Sequence, residues 1–216
     1  MNKITNKPAS IFTTADRLWM AILLLNQRDT QYTLREFSAL SGLSLGFVSK
    51  FSNLLKQAGF LEDSRHMRLK NPRALLDTIR DIYFFEKNTV HPYYTELTPE
   101  ESIKKIKSIG KNREYAFTRM AGASQIAYFV RFQTVEFYVP SEADISFWKD
   151  ALELTHVEFS GNINLIIPSD QRLFSTIQKI KGAKITNNIQ LYLDLYKYPA
   201  RGREQAEHLR EKVIKT

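Results

Sequence analysis

The sequence predicts a chain of mixed α/β class (α+β overall), with a helical N-terminal part and a C-terminal part of alternating strands and helices. Two observations carry this prediction. Up to residue 83, apolar residues recur at helical spacing in four segments, each opened by a Ser, Thr or Asn that can cap a helix. Beyond residue 114, short apolar runs typical of strands alternate with helical segments, as in mixed α/β domains.

The composition of the 216 residues is that of a globular protein, with 43% hydrophobic and 12% aromatic residues. The absence of cysteine excludes disulfides, thiolate metal sites and cysteine nucleophiles. The longest apolar run, at residues 18–25, is well short of the roughly 18 residues that a membrane span needs. The start of the chain, MNKITNKPAS, lacks the apolar core of a signal peptide. We therefore expect a cytoplasmic protein without a membrane partner.

The charge of the chain is basic and unevenly distributed. The formal net charge is +8, from 31 Lys and Arg against 23 Asp and Glu. Residues 44–73 hold six basic residues against two acidic ones, so half of the excess lies in this short segment. A concentrated positive charge favours a polyanionic partner.

The first two helices are predicted from their caps. The first is expected to begin at Thr13 or Thr14. The second begins after Thr33, because Glu36 three residues later completes a capping box. Gly42 ends it, since glycine adopts the left-handed conformation of a helix terminus without steric cost. The expected apolar stripe of the second helix is Leu34, Phe37 and Leu40.

The third helix is expected to begin after Ser44 and to stop at Gly59. Its expected inward residues are Leu45, Val48, Phe51 or Ser52, and Leu55. The next segment, FLEDSRHMRLKNP, is apolar at both ends and polar at its tip, which predicts a two-stranded wing. Asn71 and Pro72 then open a fourth helix that runs to Tyr83.

This order of elements predicts an N-terminal winged helix-turn-helix domain over residues 8–90, a fold that binds duplex DNA. The third helix would enter the major groove, where Asn can pair with adenine, Lys with guanine, and Phe47 can touch a thymine methyl group. The candidate DNA-binding residues are Thr33, Arg35, Ser44, Gly46, Phe47, Ser49, Lys50, Asn53, Arg65, His66 and Arg68. Two alternatives stay open: Phe47 belongs to the core, or the motif serves protein contacts.

The C-terminal part is predicted as a mixed α/β domain over residues 95–216. The segment EKNTVHPYYTEL lacks periodicity and contains a proline, so we interpret it as a linker. A helix follows, with Thr98 as its cap, Glu101 completing the box and Gly110 as its end. Strands are expected at 115–117, 135–139, 163–167 and 189–193, and helices at 121–129, 142–154, 172–180 and 203–214.

Three strings behind the predicted winged helix carry a resemblance to a known family. They are REYAFTRMAGASQIAYF, VEFYVP and NNIQLYLDLYKYPARGREQAEHLREK. Together they resemble the AbiEi-type antitoxins and transcriptional regulators of type IV toxin–antitoxin (abortive infection) systems. The last string is the most telling, because members show a strand with an LYLDL-like acidic end, a Gly-Arg turn and a helix. One departure is that Arg119 and AGAS stand where we expect a glycine and paired alanines.

The resemblance implies a repressor that binds repeats in its own promoter. It also implies a C-terminal domain that neutralises a nucleotidyltransferase-like toxin without requiring a stable complex. From the residues themselves, Asp194 at the predicted strand end, Arg201 and Arg203 form either a structural salt bridge or an anion-binding corner at the start of the last helix.

No sequence motif indicates an enzyme, a cofactor or a metal site. There is no glycine-rich phosphate loop, no GxSxG elbow and no HExxH, and the four histidines are not at ligand spacing. The open alternatives are a winged-helix regulator with a ligand-sensing or nucleic-acid-processing C-terminal domain, and an interaction scaffold. A homodimer is one open arrangement, because a duplex offers two-fold sites; monomers on tandem repeats are the other.

Overall fold

The computed structural model describes residues 8–216, which form a mixed α/β protein as predicted. Residues 1–7, which bear on the expected lack of a signal peptide, lie outside the described residues. The chain divides into two compact units, of which the first ends at Tyr83 and the second covers Phe84–Lys215. No helix of the described part is long and apolar enough to cross a bilayer.

The described part of the first unit contains four α-helices, after a 3₁₀ turn at Pro8–Ile11. They are α1 (Ala15–Asn26), α2 (Leu34–Ser41), α3 (Leu45–Gln57) and α4 (Pro72–Ile82). Each begins where its cap predicts: the side chains of Thr14, Thr33, Ser44 and Asn71 accept a hydrogen bond from a backbone N–H of the first turn. Gly42 ends α2 with a φ of 69°, the left-handed conformation expected of it.

The core of this unit is formed by the inward faces of the helices, where Met20, Phe37, Phe51, Leu55 and Leu76 are buried. Two residues predicted to face inward do not. Leu40 and Leu45 are 44% and 43% exposed, because they flank the turn at Gly42 rather than the middle of their helices.

The segment between α3 and α4, where a two-stranded wing is predicted, contains a short antiparallel pairing and no regular strands. Leu61 and Leu69 form a single β-bridge, and backbone hydrogen bonds from Glu62 to Arg68 (3.0 Å) and from Lys70 to Phe60 (2.9 Å) flank it. A second bridge joins Met67 to Tyr32, before α2. The tip of the segment is held by other hydrogen bonds: Lys56 Nζ donates to the carbonyl of Ser64 over 2.8 Å, and Ser64 Oγ donates to the carbonyl of His66 over 2.6 Å. We call this segment the wing loop (residues 61–69).

The second unit contains a mixed seven-stranded sheet of order β4-β1-β5-β3-β2-β7-β6. Its strands are β1 (Thr89–Tyr94), β2 (Ala116–Phe117), β3 (Val135–Tyr138), β4 (Thr155–His156), β5 (Ile163–Ile167), β6 (Gln178–Ile180) and β7 (Ala183–Ile185). The pairs β3–β5 and β2–β7 are parallel and the others antiparallel. Five helices accompany it: α5 (Pro99–Ile109), α6 (Arg119–Ile126), α7 (Glu142–Ala151), α8 (Asn188–Tyr196) and α9 (Gly202–Leu209).

The linker predicted at residues 86–97 is wrong, because strand β1 occupies it and pairs with both β4 and β5. Proline was the misleading signal. Pro92 lacks an N–H, but the register pairs of β4 reach only Tyr93 and Tyr94. Beyond them Pro92 only accepts, through its carbonyl, a hydrogen bond from the backbone N–H of Val157 over 3.4 Å. A strand tolerates proline where no N–H has to be donated.

Two further elements differ from the prediction. The expected strand at 189–193 is helix α8, capped by Asn187, whose side chain accepts the N–H of Gln190 over 2.9 Å. Residues Ile189–Leu195 are all buried, so the sequence lacks the polar face from which a helix is recognised. The expected helix at 172–180 is a 3₁₀ turn at Gln171–Thr176 followed by β6.

Candidate nucleic-acid interface

The outward face of α3 is a continuous polar stripe. Gly46, Lys50, Asn53 and Gln57 are all exposed, and their spacing of four, three and four residues brings them to one side of the helix. On the opposite side Val48, Phe51 and Leu55 are buried. The helix is therefore held by one face and presents the other, as a major-groove helix must.

Gly46 leaves the backbone of the first turn of α3 uncovered. A Cβ built on it meets no atom within 4 Å, so nothing in the packing requires a glycine. Glycine in a helix destabilises it relative to alanine. The missing side chain allows another molecule to approach the backbone closely at this position.

Three other predicted residues of α3 differ in availability. Ser44 is exposed, and its Oγ accepts the N–H of Phe47 over 3.2 Å, which leaves the hydroxyl hydrogen free to donate. Ser49 is half-buried beside the stripe. Phe47 is also half-buried, with its ring centroid 6.1 Å from that of Phe51, so only part of the ring is offered outward.

The start of α2 is less open to a phosphate than the sequence suggests. Thr33 donates to Glu36 Oε2 from both its backbone N (2.7 Å) and its Oγ1 (2.9 Å). These bonds, with a smaller effect of His66, hold the pKa of Glu36 below its ordinary value, so the carboxylate is charged. A charged carboxylate opposes an anion at this helix terminus. Arg35 beside it is exposed and forms no ion pair within the described residues.

The wing loop presents Arg65, His66 and Arg68, all three exposed. Arg68 Nε lies 3.6 Å from Glu62, and Lys56 Nζ lies 3.5 Å from Asp63, so both acids of the loop are balanced by cations. Arg65 has no such partner in the part of the chain that the structure describes. The unit therefore presents Arg35, Lys50 and Arg65 as uncommitted positive charges.

The predicted cluster of Asp194, Arg201 and Arg203 is wrong. Asp194 is fully buried in α8, where its carboxylate accepts hydrogen bonds from Thr118 Oγ1 (2.5 Å), Tyr138 Oη (3.0 Å) and Gln190 Nε2 (2.8 Å).

The two arginines have other partners. Arg201 pairs with Glu204 over 2.7 Å, and the guanidinium of Arg203 lies 4.8 Å from the centre of the Tyr196 ring. The structure therefore forms neither the salt bridge nor the anion-binding corner. The reason is that Asp194 lies within the buried helix α8 and not at the end of a strand.

Sequence reasoning missed a buried ion pair in the second unit. Arg119 Nη1 lies 2.7 Å from Glu136 Oε1, with only 11% and 1% of the two side chains exposed. Asn164 Nδ2 donates to the same carboxylate oxygen over 3.0 Å. Arg119 also stacks over Phe85, with its Cζ 3.4 Å from the ring centre. The glutamate inside the apolar string VEFYV was the available signal, since a charge in a buried strand needs a partner.

Arg119 stands in a conformation that favours glycine. Its φ is 47°, in the left-handed region, at the position where the family resemblance leads us to expect a glycine. The ion pair with Glu136 and the contact with Phe85 hold the side chain of Arg119 in place. Burial raises the pKa of Glu136, and Arg119 opposes that shift.

Comparison of the chain with protein-family models, with curated proteins and with solved structures finds no match. Among the described residues, no group of three or more His, Asp or Glu side chains is arranged to hold a metal ion.

Proposed function

We propose that the first unit binds duplex DNA through α3 and that the chain is a non-enzymatic transcriptional regulator. The observation that carries the proposal is the exposed stripe of α3. Its backbone is uncovered at Gly46, and the side chains of Lys50 and Asn53 have no partner among the described residues. An amide and an ammonium on one helix face can reach the acceptor and donor groups of base edges in the major groove.

Affinity and specificity come from different residues in this proposal. Arg35 and Arg65 neutralise phosphates, which gives binding that weakens with salt and does not depend on sequence. Asn53 and Lys50 read base edges, with Ser44 and Ser49 at the side of the stripe. Thr33 contributes by capping α2, because its hydroxyl and amide are engaged by Glu36.

The biological role that we propose is that of an autorepressing antitoxin in a type IV toxin–antitoxin system, acting against a nucleotidyltransferase-like toxin. The support is the resemblance of three strings of the second unit to AbiEi-type proteins. The LYLDL part of the last string belongs to the buried helix α8, so its acidic residue, Asp194, supports the fold of the unit rather than a contact with the toxin.

The second candidate is a regulator whose C-terminal unit senses a ligand. An open groove beside α5, with a volume of about 730 Å³, favours it, because small-molecule sites usually measure roughly 300–1,000 Å³. Both candidates share DNA binding by α3.

A gel-shift titration tests the proposal with the full-length protein on the DNA upstream of its own gene and on a shuffled duplex. The test variant is Lys50→Ala/Asn53→Ala. The matched control is Lys149→Ala/Gln133→Ala, which also removes one exposed cation and one exposed amide but lies in the second unit.

We expect the wild type and the control to prefer the upstream DNA and the test variant to lose that preference. Since a good bidentate base contact contributes about 1–3 kcal/mol of discrimination, the loss is at least about fivefold. Equal binding of both duplexes by the wild type, or an unchanged preference in the test variant, would sink the proposal. Co-expression with the neighbouring gene then tests the antitoxin role: the full chain should restore growth that the partner gene stops.

A further inference from the structure

An open groove in the second unit combines lysines with aromatic rings. It is lined by Glu100, Ile103, Lys104, Lys107, Ser108, Lys111, Ser124, Gln125, Tyr128, Phe132 and Gly182. We call it the lysine groove. Its cavity volume of about 730 Å³ is enough for a ligand of several rings. These residues come from α5, the 3₁₀ turn after it, α6 with the loop that follows, and the turn between β6 and β7.

The lysines of the groove lie on one side of it. Lys104 and Lys107 are on α5 and Lys111 is in the following turn, at spacings of three and four residues that align them along one helix face. None of the three forms an ion pair or a side-chain hydrogen bond within residues 8–216. Lys105, which is not part of the groove, instead pairs with Glu153 over 3.2 Å. The groove therefore holds uncompensated positive charge, with Glu100 as its single acid.

The other side of the groove offers flat apolar surface. Tyr128 is 55% exposed, so a ligand in the groove can reach its ring. Its ring centroid lies 6.5 Å from that of Phe132, at an interplanar angle of 65°. Two rings at this angle form a corner against which one planar ligand ring can stack.

The lining of the groove also includes groups that can bond to the edge of a base or to a sugar. Gln125 Nε2 donates to Ser124 Oγ over 2.9 Å, which orients the amide. The amide oxygen of Gln125 has no partner among the described residues. An oriented amide oxygen accepts from an exocyclic amine, and the carboxylate of Glu100 can accept from a ribose hydroxyl.

We propose that the lysine groove binds a nucleotide unit, with its phosphates on Lys104, Lys107 and Lys111 and its base against Tyr128 and Phe132. Charge selects the anion, the rings select a flat heterocycle, and a positively charged groove with aromatic side chains is the usual means of holding unpaired nucleotides. The same chemistry is offered by a free nucleoside triphosphate and by a single-stranded nucleic acid. This site is separate from the stripe of α3 and does not depend on duplex binding.

Isothermal titration calorimetry with the full chain tests the groove. The probes are ATP, adenosine, inorganic triphosphate and a ten-residue oligoadenylate RNA. The variants are Lys104→Ala/Lys107→Ala and Tyr128→Ala. Their matched controls are Lys149→Ala/Lys179→Ala, which removes two exposed lysines elsewhere, and Phe159→Ala, which removes a ring that is 81% exposed outside the groove. All the test side chains are at the surface, and thermal melting checks that each variant is folded.

We expect ATP or the oligoadenylate to bind the wild type and both control variants equally. The lysine variant should bind about tenfold more weakly, because charge-assisted contacts are lost. Tyr128→Ala should bind about fivefold more weakly or worse, because a stacking ring is lost. Tighter binding of ATP identifies a free nucleotide as the source, and tighter binding of the oligonucleotide identifies a single strand.

Two results would overturn the inference. One is the absence of binding by both nucleotide probes. The other is equal binding of triphosphate and ATP with no effect of Tyr128→Ala, which would reduce the groove to a general anion site. Lys50→Ala/Asn53→Ala should leave nucleotide binding unchanged, so failure of duplex binding and failure of the groove are separate outcomes.

Discussion

Helices α3 and α8 use polar side chains in opposite ways. In α3 the polar residues form one exposed stripe, and Lys50 and Asn53 have no partner within the described residues. In α8 all residues from Ile189 to Leu195 are buried, and Asp194 accepts hydrogen bonds from three side chains. The difference teaches where to look for function. Buried polar groups that are hydrogen-bonded within the protein maintain the fold, whereas exposed polar groups that contact only water can bind another molecule.

The largest expected effect comes from breaking the buried network beside α8. Arg119→Met leaves the carboxylate of Glu136 buried and without its cation. Removal of one member of a buried pair costs about 3–5 kcal/mol of stability. Urea denaturation measures the free energy of unfolding. The double variant Arg119→Met/Glu136→Gln should recover a substantial part of the loss, and a single variant as stable as the wild type would contradict the prediction.

A pH series sharpens the same point. Burial raises the pKa of Glu136 in the folded protein, so this group favours folding when protonated. Its contribution is complete below the unfolded pKa, about 4.3, and is lost as the pH rises through the folded pKa. Glu136→Gln does not titrate, so its free energy of unfolding should improve relative to that of the wild type as the pH rises from 4 to 7. A difference independent of pH would show that Glu136 keeps its ordinary pKa.

In α3, a substitution at Gly46 should change stability and DNA binding in opposite directions. The methyl group that Gly46→Ala adds would meet no atom within 4 Å. The substitution should therefore stabilise the free protein by up to about 1 kcal/mol, because alanine is favoured over glycine in a helix. If α3 approaches DNA closely, the added methyl group should weaken duplex binding several-fold. Thermal melting and gel shifts on the same sample measure both effects. A stabilised variant that binds DNA as the wild type does would show that Gly46 lies outside the contact.

The smallest effect is expected at the exposed pair of Arg201 and Glu204. The nitrogen–oxygen distance is 2.7 Å, but the two side chains are 61% and 51% exposed. Surface pairs of this kind contribute little, because water and salt screen them. Arg201→Gln should therefore leave the denaturation midpoint unchanged at physiological salt. A clear loss would reveal a role that the geometry does not suggest.

The two helices also show what the sequence can predict. The bounds of α3 follow from local chemistry, since Ser44 caps it and its buried residues recur at helical spacing. The identity of α8 does not, because a short segment that is apolar on every side carries no period. Gly202, the first residue of α9, packs against the end of α8: a Cβ there would lie 2.2 Å from the carbonyl oxygen of Leu195.

The candidate sites divide in the same way. The exposed positions of Lys50 and Asn53 follow from the pattern of one helix, so the sequence predicts the stripe. The pairing of Arg119 with Glu136 and the lysine groove join segments far apart in the chain. Only the topology of the sheet and its helices brings those segments together, and no local spacing reveals it.

The central claim is that the exposed face of α3 reads base sequence. Fluorescence anisotropy with the upstream duplex and a shuffled duplex, at two salt concentrations, tests it most directly by comparing the wild type with Asn53→Ala and Gln133→Ala. The account predicts that Asn53→Ala lowers the ratio of the two affinities at least about fivefold at both salt concentrations, while Gln133→Ala leaves it unchanged. An unchanged ratio in Asn53→Ala, or a wild-type ratio of one, would contradict it.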